Sequence, residues 1–274
     1  MPDELRLGAV YERSVAASLE RVWENVHDWE HLPWLHGGAF SSIELEESGD
    51  WGWRARIGLA GSDETLRVEL RRELDCEVYH TRTLAGPGQG SDTLVRLMPR
   101  SERVTDIRVE FWLAVPDEHQ AEMLGKGLLT LYTRLWDEDE AMMVRRQEVI
   151  DGVRSSPARA GVTAPAPLGL GPWSELSARL PLVVSTAQGE FRVVETDSGF
   201  FAHSVFCPHR GGPLGEGAIE AGHVVCPWHG YRFELASGRA ADGRRCQTAK
   251  PPRVELGADG QALVIFAEDH AAQA

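Results

Sequence analysis

Four side chains in the last third of the sequence have the types and spacing of a metal centre. Cys207-Pro-His209-Arg-Gly-Gly and Cys226-Pro-Trp-His229-Gly-Tyr give C-x-H, sixteen intervening residues, then C-x2-H. Two thiolates and two imidazoles on two short loops can be brought to one point. The glycines and prolines in each loop supply turns that fold backbone over a cofactor. Soft thiolates suit iron–sulfur chemistry, and imidazoles on one iron raise the potential relative to an all-cysteine cluster. Structural zinc competes for such a donor set, but zinc sites more often pair Cys with Cys and His with His than mix them within each loop. Four unrelated buried residues would need two such loops to arise by chance. The mixed pattern favours a [2Fe–2S] cluster.

A second set lies near the N-terminus. Trp23 to His36 reads W-E-N-V-H-D-W-E-H-L-P-W-L-H, which places Glu24, Asp28, His31 and His36 in E-x3-D-x2-H-x4-H. Asp28 and His31 are three apart and so share a helical face. Pro33 breaks or tightens the helix before His36. Two histidines and one carboxylate, with open positions, are the facial ligand set of non-haem Fe(II) oxygenases. The histidine pair alone is a weak signal, and the carboxylate must come from elsewhere.

The element that could supply it is a long helix expected over Pro116–Val153, with Asp117 and Glu118 at its start and Arg145 and Arg146 towards its end, as the helix dipole favours. Leu124, Leu128, Leu131, Leu135, Met142 and Val149 repeat at steps of three, four and seven and make one apolar stripe. Asp139 falls on the edge of that stripe, whereas Asp137 and Glu140 point away. An unpaired charge is costly to bury. Asp139 is therefore either solvated where the helix leaves the core or paired with a partner such as the two histidines.

Ahead of that helix, a strand over Leu7–Ser14 and a helix over Leu19–Asp28 precede six strand-like stretches between Phe40 and Val115, several alternating apolar and polar as in Thr105-Asp-Ile-Arg-Val-Glu-Phe. Beyond it, Ser155–Pro172 is rich in Ala, Pro and Gly and reads as a linker. Trp173–Phe266 is dense in glycine and short strands, an all-β domain. The expected organisation is residues 1–154, a linker at 155–172 and a second domain at 173–270. Cys76 and Cys246 are expected to be ordinary buried thiols. Trp34, Phe40, Trp51, Trp53 and Trp112 suggest an apolar cavity or core.

The C-P-H-R-G and C-P-W-H-G-Y-R-F wording resembles that of Rieske ferredoxins and bacterial Rieske oxygenases. The resemblance implies that Cys207 and Cys226 bind one iron, His209 and His229 the other, and that one electron is carried at a time. The H-L-P-W-L-H segment, with Trp136-Asp-Glu-Asp139, resembles the iron-binding segments of Rieske non-haem iron oxygenase α subunits, the aromatic-ring-hydroxylating type. That likeness implies a mononuclear Fe(II) held by His31, His36 and Asp139, with Asp28 bridging to the cluster histidine of a neighbouring subunit. The first domain resembles the helix-grip (START or Bet v 1-like) fold that is catalytic in those enzymes. The fold class is thus α+β: a helix-grip domain followed by an all-β Rieske domain. The domain order is reversed relative to the family. A linker of this length could extend about 60 Å, so electron transfer within one chain stays open.

Composition sets outer limits. The 274 residues are 42% hydrophobic and 26% charged, enough for two compact cores. A net charge of −14 argues against nucleic acid or an anionic membrane surface as partner. No apolar run approaches the ~20 residues of a membrane span, and no secretory signal is visible, so a cytoplasmic location is expected. No G-x-G-x-x-G follows a strand, so the electrons are expected from a separate NAD(P)H-dependent reductase, with or without an intervening ferredoxin. The expected activity is O2-dependent hydroxylation, dihydroxylation or demethylation of a small organic substrate, apolar or aromatic, by a homo-oligomer, a trimer if head-to-tail contacts close. The alternative is a non-catalytic helix-grip ligand-binding domain fused to a Rieske ferredoxin that serves electron transfer.

Overall fold

A computed structural model describes residues 4–73, 75–152, 166–186 and 188–265. The chain divides into two units, residues 1–147 and 148–274.

In the N-terminal unit, β1 (Arg6–Val15) leads into α1 (Leu19–His27), one 3-10 turn (Trp29–His31) and the short α2 (Leu32–Leu35). Six strands follow in meander: β2 (Phe40–Gly49), β3 (Gly52–Leu59), β4 (Thr65–Arg72), β5 (Val78–Ala85), β6 (Asp92–Ser101) and β7 (Val104–Leu113). They form one seven-stranded sheet in the order β1-β7-β6-β5-β4-β3-β2, antiparallel throughout. Strand β7 buries alternate residues, Thr105, Ile107, Val109, Phe111 and Leu113, as a sheet with one solvated face requires. The polar member of that row is satisfied, because the Thr105 hydroxyl donates to the Ala17 carbonyl at 2.9 Å.

Helix α3 (Glu118–Ile150, 33 residues) packs one side against the apolar face of this sheet, with Ala121, Trp136 and Met143 in the core. This is the expected helix-grip arrangement, but the buried face differs from the expected stripe. Leu124 is exposed, whereas Ala121 and Gly125 are buried. The reason is close backbone approach to β1: a Cβ at Gly125 would lie 2.2 Å from the Gly8 carbonyl oxygen, and a Cβ at Gly8 2.8 Å from that of Ala121. Only small residues fit such a contact. Leu128, Leu131 and Leu135 line a cavity beside the core, against which Leu128 also packs.

The C-terminal unit is all-β. Strands β8 (Leu168–Pro172), β9 (Leu182–Thr186), β10 (Gly189–Thr196), β11 (Gly199–Ser204), β15 (Arg253–Leu256) and β16 (Gln261–Ile265) form one sheet in the order β8-β16-β15-β11-β10-β9, over a core that includes Leu176, Phe191 and Val264. A three-stranded sheet, β12 (Ala218–Glu220), β13 (His223–Val225) and β14 (Arg232–Glu234), forms separately. The linker expected at 155–172 is corrected at its end. Residues 153–165 lie outside the described residues, but Leu168–Pro172 pairs with β16, Leu168 opposite Val264 and Gly171 opposite Ala262. Its glycines and proline are tolerated because β8 is an edge strand, where one side needs no donor. Residues 266–270 of the expected domain also lie outside the described residues. Among the described residues no helix is long and apolar enough to cross a membrane.

Two candidate metal centres

The first centre forms where α1 gives way to α2. Ser18 caps α1 by accepting from the Arg21 amide at 3.2 Å, and Val22 and Val26 bury its apolar face. At Asp28 the α-helix stops, the 3-10 turn carries His31, and Pro33 sits at the first positions of α2. This break turns His31 and His36 towards each other, with ring centroids 5.0 Å apart at 78°. Asp139 of α3 meets both, Oδ1 lying 3.5 Å from His31 Nε2 and 3.1 Å from His36 Nε2. One ligand atom from each of the three buried residues lies within 4.8 Å of the others. Asp28 is buried too, but its carboxylate is 3.9 Å from His31 Nδ1, beyond hydrogen-bond reach.

Two further residues complete this centre, and the sequence reading passed over both. Glu138 Oε2 is 2.6 Å from His36 Nδ1, which leaves Nε2 turned to Asp139. Asn25 Nδ2 donates to Asp139 Oδ1 at 2.9 Å. Asn25 lies on α1 three residues before its C-cap, Asp28, a spacing legible in the sequence. Glu138 was masked by lying in the run Asp137–Glu140, whose other members behave as expected: Asp137 and Glu140 pair with Arg13. Burial disfavours charge on Asp139, yet the hydrogen bond from His36 and the nearby His31 hold its carboxyl below the ordinary range. Burial likewise opposes charge on His36, and Asp139 with Glu138 overcomes it, so the imidazole is raised. Glu24 lies outside this set and pairs with Arg21 and Arg146, tying α1 to α3.

The triad forms part of the wall of a cavity of about 270 Å³ between the sheet and α3. Of the aromatic residues proposed for a cavity, Phe40 and Trp53 line it, joined by Tyr79, Tyr132 and Trp136. Trp34 is exposed, Trp51 stacks with Arg71 at 4.8 Å, and Trp112 donates to Glu110 on the outer face at 3.2 Å.

The second centre rests on two loops with the same backbone pattern. The Cys207 amide donates to the Gly212 carbonyl at 3.0 Å, and the Gly211 amide returns to Cys207 at 2.9 Å. The Cys226 amide donates to the Tyr231 carbonyl at 2.8 Å, and the Gly230 amide returns to Cys226 at 2.9 Å. The returning glycines have φ of +79° and +67°, where other residues are strained. The loops bring the His209 and His229 rings to 4.6 Å. Both cysteines and His229 are buried, and His209 is half-buried.

Residues 168–270 match the Rieske [2Fe-2S] domain family. The C-terminal unit carries a Rieske domain. Apoptosis-inducing factor 3 of Mus musculus and of Homo sapiens are each 37% identical to this chain over 59 residues, 22% of this chain and 10% of theirs. Zhui aromatase/cyclase from Streptomyces sp. R1128 is 18% identical with a TM-score of 0.45, over 53% of this chain and 98% of its own. A START superfamily protein from Mycobacterium smegmatis is 16% identical with a TM-score of 0.41, over 50% and 96%.

The donor set of the Rieske domain fits its cluster. The contact with Cys207 draws the Cys226 thiol down, and the same contact, with burial, pushes the Cys207 thiol up. A metal bound at these sulfurs needs both thiols deprotonated. A Cβ at Gly212 would come within 2.9 Å of Cys226 Sγ, so glycine there leaves room over the sulfur. Tyr231 stacks on His209 at 4.3 Å and 7°, and the Arg244 guanidinium lies 3.7 Å above Tyr231. The two remaining cysteines are not the buried thiols expected. Cys76 is exposed in the turn between β4 and β5, where it donates to Glu73 at 3.1 Å, and Cys246 is half-buried.

Proposed function

We propose that the chain is a Rieske-type oxygenase acting on a small organic substrate, with both metal centres in one polypeptide. The supporting observation is that His31, His36 and Asp139 converge in the wall of an apolar cavity, in a chain that also carries a Rieske domain. His31, His36 and Asp139 would hold an Fe(II) ion that would activate O2, and Cys207, His209, Cys226 and His229 would hold a [2Fe–2S] cluster that would pass single electrons from a separate reductase.

The chain's own residues do the rest. Leu128, Leu131 and Leu135 shed water against the apolar body of the substrate and hold it beside the triad. Glu138 holds one nitrogen of His36 so that the other faces inward, and Asn25 fixes the Asp139 carboxylate. Asp28, 3.9 Å from His31 Nδ1, is the proposed connecting residue for the electron. Hydroxylation, dihydroxylation and demethylation all lie within this arrangement.

Metal analysis of anaerobically purified protein tests the proposal. The expected content is about three irons and two acid-labile sulfides per chain. The Rieske domain by itself also supports a second reading, a ligand-binding unit fused to a Rieske ferredoxin. Two irons at full cluster occupancy, with no gain on adding Fe(II), would establish that second reading.

A further inference from the structure

The wall of the cavity is largely apolar; its polar groups are the triad with Asn25 and Asp28 beside it, Tyr79, and one patch facing apolar α3 residues. Thr81 and Thr83 on β5 and Thr93 on β6 line it. Thr81 and Thr93 are directly paired across the strands, and Thr83 lies two residues on, on the same face. Tyr132 lines the same cavity from α3. Their neighbours in the same rows are Leu70 and Val68, paired with Thr81 and Thr83. Valine is isosteric with threonine and suits a purely structural wall, whereas a hydroxyl turned into an apolar chamber must be hydrogen-bonded to be tolerated. Burial pushes the Tyr132 phenol up to about 12, so it stays protonated and can donate.

Charge narrows the ligand further. Among the described residues no lysine or arginine lines the cavity, and its acids are Asp28 and Asp139. A carboxylate or phosphate would meet no counter-charge away from the triad. The volume, about 270 Å³, is close to the roughly 300 Å³ lower end of ligand pockets and suits a compact one- or two-ring molecule.

We infer that the substrate is a neutral, compact ring compound bearing a hydroxyl or carbonyl oxygen, which is read by Thr81, Thr83, Thr93 and Tyr132 while the apolar body lies against α3. This rests on the cavity being the substrate chamber of the oxygenase proposed above.

The test uses the full chain with its cluster intact, under nitrogen, and equilibrium dialysis of three matched probes: naphthalene, 2-naphthol and 2-naphthoate. We expect 2-naphthol to bind about tenfold tighter than naphthalene, and 2-naphthoate to bind at least tenfold weaker than 2-naphthol, before Fe(II) is added. The double variant Thr81→Val, Thr93→Val should bring 2-naphthol down to the level of naphthalene without weakening naphthalene. Thr81→Ser with Thr93→Ser should keep the preference. Equal or tighter binding of 2-naphthoate, or a preference that survives the valine variant, overturns the inference. The iron count is read separately: two irons with the naphthol preference intact removes the oxygenase and leaves the ligand class standing, whereas three irons without that preference does the reverse.

Discussion

His36 Nε2 lies 3.1 Å from Asp139 Oδ1, joining the residue that ends α2 to the middle of α3. Each is a polar group that would be costly to bury alone. Together, with His31, they explain why an acid occupies the inward face of α3.

If Asp139 is a metal ligand, Asp139→Ala should bring the iron content down from about three to about two per chain and abolish turnover, with the Rieske absorbance unchanged. Asp137→Ala is the control. Asp137 pairs with Arg13 at the exposed end of the same helical turn, and its loss should cost less than about 1 kcal/mol and no iron. Equal behaviour of the two variants would remove Asp139 from the triad.

Glu138 should act through His36. Glu138→Ala is expected to weaken Fe(II) binding about 10–100-fold, with a smaller loss for Glu138→Gln, whose amide oxygen can still accept from the imidazole. Titration of Fe(II) into apo-triad protein, followed by iron analysis, measures this. Wild-type affinity in Glu138→Ala would show that the 2.6 Å contact does not position the ring.

Asp28 should matter to electron flow and not to metal retention. Asp28→Asn is expected to keep about three irons and a reducible cluster yet lose turnover by orders of magnitude. Mixing Asp28→Asn with His229→Ala distinguishes the route. Partial return of activity is the outcome expected for a head-to-tail ring of chains. A mixture that stays inactive indicates transfer within one chain, and an active monomer in solution would sink the inter-chain route.

Two glycines on α3 should respond in opposite directions. Gly125→Ala forces a Cβ to within 2.2 Å of backbone, and overpacking of this kind costs about 1–3 kcal/mol, a fall in melting temperature of several degrees. Gly127 has nothing within 4 Å of an added Cβ, so Gly127→Ala should stabilise by up to ~1 kcal/mol through helix propensity. Thermal unfolding of the two variants, followed by circular dichroism, reads both signs. A destabilised Gly127→Ala would show that α3 is seated differently on β1.

The sequence by itself determined most of the elements and pointed to His31, His36, Asp139 and the four Cys and His residues of the cluster loops as the candidate ligands. The strands of the first unit were legible because a sheet with one wet face writes a period of two, as β7 does from Val104 to Leu113. The cluster loops were legible because Cys207 to His209 and Cys226 to His229 are local, each closed by its own turn. Asp139 stood out because an acid interrupts an apolar stripe. Only the tertiary structure decided what each face meets. Periodicity specifies the side of a helix and not its rotation against a neighbour, so the exposure of Leu124 and the burial of Gly125 followed from the close approach to Gly8. The same rotation brought Glu138 to His36 and separated it from Asp137 and Glu140, which look alike in sequence. Likewise Leu168–Pro172 reads as linker by composition and becomes a strand because β16 offers it a free edge. Pairing with a distant partner is settled by packing, and composition alone does not carry that information.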